Sequence, residues 1–146
     1  MIPYSRQDIT DEDIAEVKKI LSSDFLTQGP QVPLFEASIK NAVNADYALA
    51  VNSATSALHI ACLALGVGVG DVVWTTPITF VASANCALYC GADIDFVDIN
   101  SDTYNLCAEN LEEKLIHAKA NDLLLPKVVI PVHFCGQHYP SRCLIK

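Results

Sequence analysis

Four polar residues in close succession, Asn52, Ser53, Thr55 and Ser56, are the strongest candidates for chemistry in this sequence. They separate a strand-length apolar run at 47–51 from a segment that continues as an apolar helix. Side chains of this kind cap helices, because their oxygens accept hydrogen bonds from the free N–H groups of the first turn. The same N–H groups, together with the helix dipole, favour a bound phosphate. The turn is therefore predicted either to bind a phosphate or only to cap a helix that is buried on nearly all sides.

Length, composition and charge limit the classes of protein to consider. The chain has 146 residues, the length of one domain, and 51% of them are hydrophobic, so a core can form. A net charge of -8 argues against nucleic-acid binding. No apolar run reaches transmembrane length, and the first residues lack the pattern of a signal peptide. These features predict a cytoplasmic protein that has no membrane or nucleic-acid partner.

The six cysteines include no CxxC pair. Without a secretion signal, a disulfide framework is not expected. Cys86 and Cys90 lie one helical turn apart, and His133 lies close to Cys135, but structural zinc sites use tighter paired spacing. Buried free thiols are the favoured interpretation, and no metal site is predicted.

Helices and strands are predicted to alternate along the chain. Helices are expected at 11–21, which Thr10 caps, and at 31–43, 57–65, 80–89 and 108–118, and strands at 47–51, 72–75, 94–99 and 127–132. This alternation predicts an α/β fold with a mostly parallel sheet. The glycine-rich segment 66–71 precedes a strand, so it is interpreted as a helix end and turn, since a dinucleotide motif follows its strand. The last strand has no following element to cover it.

Seven segments, in order, resemble the DegT/StrS family of pyridoxal-phosphate-dependent sugar aminotransferases. They are LTQGP at 26–30, NSATSALH at 52–59, GDVV at 70–73, TPITFVA at 76–82, GA at 91–92, VDI at 97–99 and PVHFCGQ at 131–137. The resemblance covers residues 1–137 and implies the N-terminal part of an aspartate-aminotransferase-like (fold type I) large domain. That domain has a mostly parallel sheet with helices on both faces. Residues 138–146 depart from the family and are interpreted as a divergent tail produced by truncation or a frameshift.

The resemblance also implies roles for individual residues. The residues expected to hold the cofactor, pyridoxal 5′-phosphate, are Ala54, Thr55 and Ser56 at its phosphate and Phe80 against its ring. The residues expected to line the sugar-nucleotide site are Tyr4, Leu26, Thr27, Gln28 and Gly29. From the residues alone, the alternative for Phe80 is a core aromatic, that for Tyr4 is a loosely held terminal residue, and the favoured interpretation of 26–29 is an ordinary connection.

Members of this family transfer an amino group from glutamate to a keto-sugar nucleotide. For this chain the resemblance implies a 4-keto-6-deoxy UDP-sugar, used in making pseudaminic acid or another surface polysaccharide. The family's Schiff-base lysine and the aspartate at the pyridine nitrogen match nothing in this sequence, so no catalytic residue is assigned. We expect weak or absent cofactor binding, no activity of this chain alone, and a homodimer or aggregation. The alternative is a small, non-catalytic α/β binding or interaction module.

Overall fold

A computed structural model describes residues 6–138. It divides the chain into two compact units, Met1–Ala50 and Val51–Lys146. In chain order the elements are α1 Asp11–Leu21, α2 Gln31–Val43, α3 Ala54–Ala64, β1 Val72–Thr75, α4 Ala82–Tyr89, β2 Asp93–Phe96, α5 Ala108–Ala120, β3 Val128–Ile130 and a 3-10 turn at Phe134–Gly136. Tyr4, one of the predicted substrate contacts, lies outside the described residues.

The first unit contains two helices that begin and end as predicted. Thr10 caps α1 in a capping box: its hydroxyl accepts a hydrogen bond from the Asp13 N–H at 3.3 Å. The Asp13 carboxylate accepts one from the Thr10 N–H at 2.8 Å. α2 ends at Asn44, which adopts the left-handed conformation at φ 51°. Neither helix has a buried residue.

The strand predicted at 47–51 is wrong, since these residues form no strand in the structure. Tyr47 is 90% exposed and Leu49 is 70% exposed. An apolar run of strand length still needs a neighbouring strand to satisfy its N–H and C=O groups. The described residues supply no such neighbour for this run.

The sheet in the second unit has three parallel strands in the order β2-β1-β3. Trp74 in the central strand lies opposite Asp95 on one side and Val129 on the other. The observed β2 and β3 are shorter than the predicted strands 94–99 and 127–132. The prediction of an α/β fold with a parallel sheet is confirmed.

The four residues of β1 are all buried, and three of them contribute to two separate hydrophobic clusters. Val72 and Trp74 pack with Leu111 and Ala118 of α5. Val73 packs with residues of α3 and α4. Successive side chains of a strand point to opposite faces, so the two clusters lie on opposite faces of the sheet. Helices therefore cover both faces, as expected.

Burial of the helices was predicted less well than their positions. α3 was expected to be buried on nearly all sides, but Cys62 is its one buried residue, and Leu63 is 54% exposed. In α5, Leu111 is buried as expected, whereas Ile116 is 62% exposed. α4 begins at Ala82, two residues later than predicted, and Leu88 on it is half exposed. The reason is that each helix contacts the sheet along one stripe, whatever the composition of its other sides.

Five cysteines lie in the described part of the chain, and all are free thiols. Cys62 and Cys86 are buried as predicted, whereas Cys135 is exposed and Cys143 lies outside the described residues. Burial, with a smaller contribution from the neighbouring Cys86, raises the pKa of Cys62 to about 11. Among residues 6–138 no group of His, Cys, Asp and Glu is arranged to hold a metal ion. No helix in that range has the length and apolar character needed to cross a membrane.

Candidate functional site

Topology places two helix N-termini at one edge of the sheet. α3 and α4 cover the same face, because both contribute to the cluster that contains Val73. α4 starts shortly after the carboxyl end of β1, and α3 is joined to the start of β1 by the short segment 65–71. Both helices therefore run opposite to β1, and both begin at its carboxyl end. Ligands of parallel α/β sheets bind at this edge.

The start of α3 is capped as the sequence predicts. Ser53 is the N-cap, and its hydroxyl accepts a hydrogen bond from the Ser56 N–H at 3.2 Å. The Ser56 hydroxyl donates to Asn52 Oδ1 at 2.7 Å. These hydroxyls hold the turn in a fixed conformation, which preserves the direction of the first-turn N–H groups.

Several hydrogen-bond donors of this turn have no protein partner among the described residues. They are the N–H groups of Ala54 and Thr55 and the hydroxyl of Thr55. Thr55 and Ser56 are half-buried and Ala54 is exposed, so the turn is accessible to a ligand. N–H and O–H donors at the positive end of a helix dipole suit a phosphate dianion. The residues predicted to hold the cofactor phosphate are thus brought together in a suitable arrangement.

Phe80 lies at the same edge, in the turn between β1 and α4. It is 74% exposed, which makes the interpretation as a core aromatic wrong. Its position is fixed locally, because its carbonyl accepts a hydrogen bond from the Ser83 N–H at 3.0 Å. The Thr79 and Ser83 hydroxyls lie 2.9 Å apart and close the same turn. An exposed ring on a fixed turn is available to stack on a planar ligand.

Thr76 follows β1 directly, and its side chain is fully buried. Its hydroxyl has no hydrogen-bond partner among the described residues. The adjacent Thr75 hydroxyl, in contrast, donates to the Ile130 carbonyl at 2.9 Å. Buried hydroxyls are normally paired, so an unpaired one at this edge of the sheet is unusual.

The predicted substrate loop 26–29 belongs to the first unit. Leu26, Thr27 and Gln28 are exposed, and Gln28 adopts the left-handed conformation at φ 55°. Gly29 is required for packing, because a Cβ there would lie 2.8 Å from the Cβ of Phe25. The loop has a defined conformation with side chains accessible for contact, but these observations do not identify a ligand.

Sequence reasoning missed Asn105, a buried residue at the end of the loop 100–105. Its side-chain carbonyl accepts a hydrogen bond from the Phe134 N–H at 2.9 Å. Its amide group donates to the Gln137 carbonyl at 3.2 Å. A buried asparagine in a loop gives no periodic signal, so only the long-range contact identifies it.

Two lysines of the second unit take part in structural ion pairs. Lys114 contacts Asp95 at 2.7 Å and lies 4.7 Å from the centre of the Trp74 ring. Lys127 contacts Asp71 at 2.8 Å. The hydrogen bond from Lys127, aided by the Gly68 N–H, lowers the pKa of Asp71. Burial tends to raise the pKa of Asp95, but hydrogen bonds from Lys114 and the Phe96 N–H lower it. Both lysines are therefore engaged in contacts that stabilise the second unit.

The sequence profile of the DegT/DnrJ/EryC1/StrS aminotransferase family matches residues 7–142. The chain belongs to this family. The match extends to residue 142, whereas the boundary of a divergent tail was predicted at residue 137. The turn at 53–56 and Phe80 both lie within the matched range.

Relatives in this family are about three times as long as the chain. The spore coat polysaccharide biosynthesis protein SpsC of Bacillus subtilis is 41% identical over 136 residues, which are 93% of this chain and 33% of that protein. The PLP-form structure of Spr1654 from Streptococcus pneumoniae, a candidate sugar aminotransferase, matches with a TM-score of 0.84 and 31% identity. The match covers 98% of this chain and 35% of that chain.

A third similar structure is Helicobacter pylori PseC, an aminotransferase involved in the biosynthesis of pseudoaminic acid. It matches with a TM-score of 0.83 and 29% identity, over 97% of this chain and 36% of that chain. Spr1654 has been solved in PLP-form, PMP-form and apo-form. Cofactor-bound members of the family thus share the fold of this chain.

Proposed function

We propose that this chain forms the phosphate-binding and ring-stacking part of a pyridoxal-phosphate-dependent sugar-nucleotide aminotransferase. The observation that carries the proposal is the start of α3, where Ser53 caps the helix and Ala54 and Thr55 present unpaired donors. Family membership, together with the exposed Phe80 at the same edge of the sheet, supports this assignment.

The substrate we propose is a 4-keto-6-deoxy UDP-sugar, with glutamate as the amino donor. The activity would be that of a UDP-4-amino-4,6-dideoxy-N-acetyl-β-L-altrosamine transaminase, on the route to pseudaminic acid. Two relatives support a surface-sugar role: SpsC acts in spore coat polysaccharide biosynthesis, and PseC acts in pseudoaminic acid biosynthesis. We assign Tyr4 and the loop 26–29 to the sugar-nucleotide site.

The residues of this chain would anchor and orient the cofactor. The N–H groups of Ala54 and Thr55 and the hydroxyl of Thr55 would bind the phosphate. The Ser56 hydroxyl would join them by turning from Asn52 Oδ1 to the phosphate, while Phe80 would hold the ring in place. When bound, pyridoxal phosphate supplies an electron sink for the reaction. The base that moves the proton is a lysine in the family, and this chain offers none in a matching position.

The first test is an assay of the chain as it stands. Purified chain is mixed with pyridoxal phosphate, glutamate and a 4-keto-6-deoxy UDP-sugar, and 2-oxoglutarate is measured. We expect no production above the cofactor-only background, because a missing general base alone costs about 10²- to 10⁴-fold in rate. Protein-dependent turnover would contradict this and would show that one of the lysines of this chain serves as the base.

The second test asks whether the proposed site works in a complete enzyme. Residues 7–137 replace the matching segment of SpsC, and the chimera is assayed for cofactor affinity and transamination. Thr55→Val and Ser56→Ala should each weaken pyridoxal phosphate binding by about tenfold or more, since they remove hydrogen bonds to a charged group. Ser101→Ala, in an exposed loop, is the matched control. If the chimera folds and neither Thr55→Val nor Ser56→Ala changes its cofactor affinity, the result would favour the non-catalytic interaction module.

We also propose that the chain associates, as a homodimer or in larger assemblies. The basis is the number of large apolar side chains left exposed, among them Leu63 and Val69 in the second unit. Size-exclusion chromatography coupled to light scattering should show a species of at least two chains. A stable monomer at high micromolar concentration would contradict the proposal.

A further inference from the structure

Every polar atom of Asn105 that could form a hydrogen bond is engaged. Its side chain contacts Phe134 and Gln137 as described above, its N–H donates to the Thr103 hydroxyl at 3.3 Å, and its carbonyl accepts from the Asn100 N–H at 2.9 Å. The residue is only 2% exposed. Asn105 thus joins the loop 100–105 to the turn 133–137, about thirty residues further along the chain.

The turn held by Asn105 is unusual in its backbone. Cys135 adopts the left-handed conformation at φ 52°, and it is followed by Gly136 at φ 79°. A non-glycine residue in that region is strained, so it persists only when its surroundings hold it there. The Tyr104 ring also contacts Phe134, with 6.1 Å between the ring centres. Neighbouring groups of the loop 100–105 therefore hold a turn that its own sequence does not favour.

The turn 133–137 lies at the edge of the sheet where the proposed cofactor site is. It follows β3, whose carboxyl end lies beside that of β1, and the Thr75 hydroxyl bonds to Ile130 there. The turn is mostly exposed, and it lies at the same edge of the sheet as Thr76 and the start of α3. Backbone strain of this kind clusters at ligand sites, where it fixes the groups that contact the ligand.

We infer that Asn105 is a positioning residue for the proposed cofactor site. Its buried amide holds the turn 133–137 at the carboxyl edge, where this turn forms the wall beside the cofactor ring, while α3 holds the phosphate. The inference rests on the proposed function. Under this inference, binding of the phosphate does not depend on Asn105, whereas binding of the cofactor ring does.

The test uses the 146-residue chain labelled with ¹⁵N and two probes. Pyridoxamine 5′-phosphate carries the ring and phosphate but cannot form an imine with a lysine, and inorganic phosphate carries only the anion. Inorganic phosphate should shift the amide signals of 54–56 alone. Pyridoxamine phosphate should also shift those of 134–137. Shifts at 54–56 without shifts at 134–137 would overturn the inference but leave the proposed phosphate site intact. No shift at 54–56 with either probe would overturn both.

Variants of Asn105 separate positioning from simple stability. Asn105→Ala removes both side-chain hydrogen bonds, and Asn105→Asp keeps an acceptor for the Phe134 N–H while losing the donor to Gln137. Each should weaken pyridoxamine phosphate binding by about fivefold and leave the affinity for inorganic phosphate unchanged, as expected for lost hydrogen bonds. Equal loss for both probes, or no loss, would contradict the inference. If Asn105→Ala fails to fold, the comparison is made with Asn105→Asp.

A matched control is Asn121→Ala, which removes an exposed asparagine whose amide donates to the His117 carbonyl at 2.8 Å. Asn121 is the C-cap of α5, and its side-chain hydrogen bonds go to His117, not to the turn 133–137. This variant should bind both probes as the parent does. A fivefold loss of pyridoxamine phosphate binding in the control as well would show that the effect is not specific to Asn105, and would overturn the inference.

Discussion

Both units of the chain contain helices with apolar side chains, but the units differ in whether those side chains are buried. α1 and α2 in the first unit have no buried residue, although Ile14 and Val17 lie on one face at helical spacing. In the second unit, a strand of four residues buries side chains on both of its faces. The two helices of the first unit have capping or turn signals as clear as those of the second.

This difference shows that local signals and burial are independent properties. A capping box or a left-handed C-cap fixes where a helix begins and ends through contacts within a few residues. Burial needs a second surface, and the sheet provides one for Leu111 and Cys86 of the second unit. The energetic consequences of substitution should therefore differ strongly between the units.

The largest expected effect is at Trp74, which is 2% exposed in the central strand. Trp74→Ala should lower the free energy of unfolding by about 3–5 kcal/mol, because it leaves a large cavity. Phe35→Ala on α2, where the ring is 58% exposed, should change it by no more than about 0.5 kcal/mol. Urea denaturation followed by circular dichroism measures both. Equal effects would mean that the contrast between the two units is false.

Thiol reactivity gives a second contrast, within the second unit. Because burial raises the pKa of Cys62 to about 11 from 9.0, its thiolate fraction at pH 8 should be about 100-fold lower than that of an unshifted thiol. Cys135 is exposed and should be modified before Cys62. Iodoacetamide labelling followed by peptide mass spectrometry gives the order in which the thiols react. Rapid labelling of Cys62 in the native chain would contradict its burial.

The ion pairs of the two units should also differ. Lys114→Met removes an ion pair, a hydrogen bond to the Phe96 carbonyl and a contact with Trp74, and should cost about 1 kcal/mol. Lys19→Met in α1 removes only an exposed pair with Glu16 and should cost about 0.3 kcal/mol or less.

The pH dependence of the Lys114 effect has a definite sign. The pKa of Asp95 is lowered in the folded chain, so its contribution to stability is present above the ordinary aspartate pKa of 3.8 and is lost as the pH falls through the lowered pKa. The stability difference between the parent and Lys114→Met should therefore shrink below about pH 4. Chemical denaturation at pH 7 and at pH 3 measures this change, and a difference that grows on acidification would refute it.

A further small effect is expected at the cap of α1. Thr10→Ala removes the capping box and should destabilise that helix by about 0.5 kcal/mol, the low end for exposed helices. The loss should appear in the NMR shifts of α1 and leave the unfolding midpoint of the second unit unchanged. A shifted midpoint would show that the first unit contributes to the stability of the second.

Much of the site could be predicted from sequence because its chemistry is local. Ser53 and Ser56 lie three residues apart, so one turn of backbone joins them, and the cap forms as predicted. The family resemblance, carried by ordered segments, is confirmed by the profile match over residues 7–142. The roles of the individual site residues remain predictions.

The sequence by itself determined the positions of the helices to within about three residues, the parallel α/β class and the capped start of α3, because these depend on neighbours within a few residues. Only the tertiary structure decided that 47–51 forms no strand, that α3 is largely exposed, and that Asn105 holds the turn 133–137. Each of these depends on which distant segment lies alongside. Strand pairing, burial and long-range hydrogen bonds need a partner surface, and no local pattern specifies one.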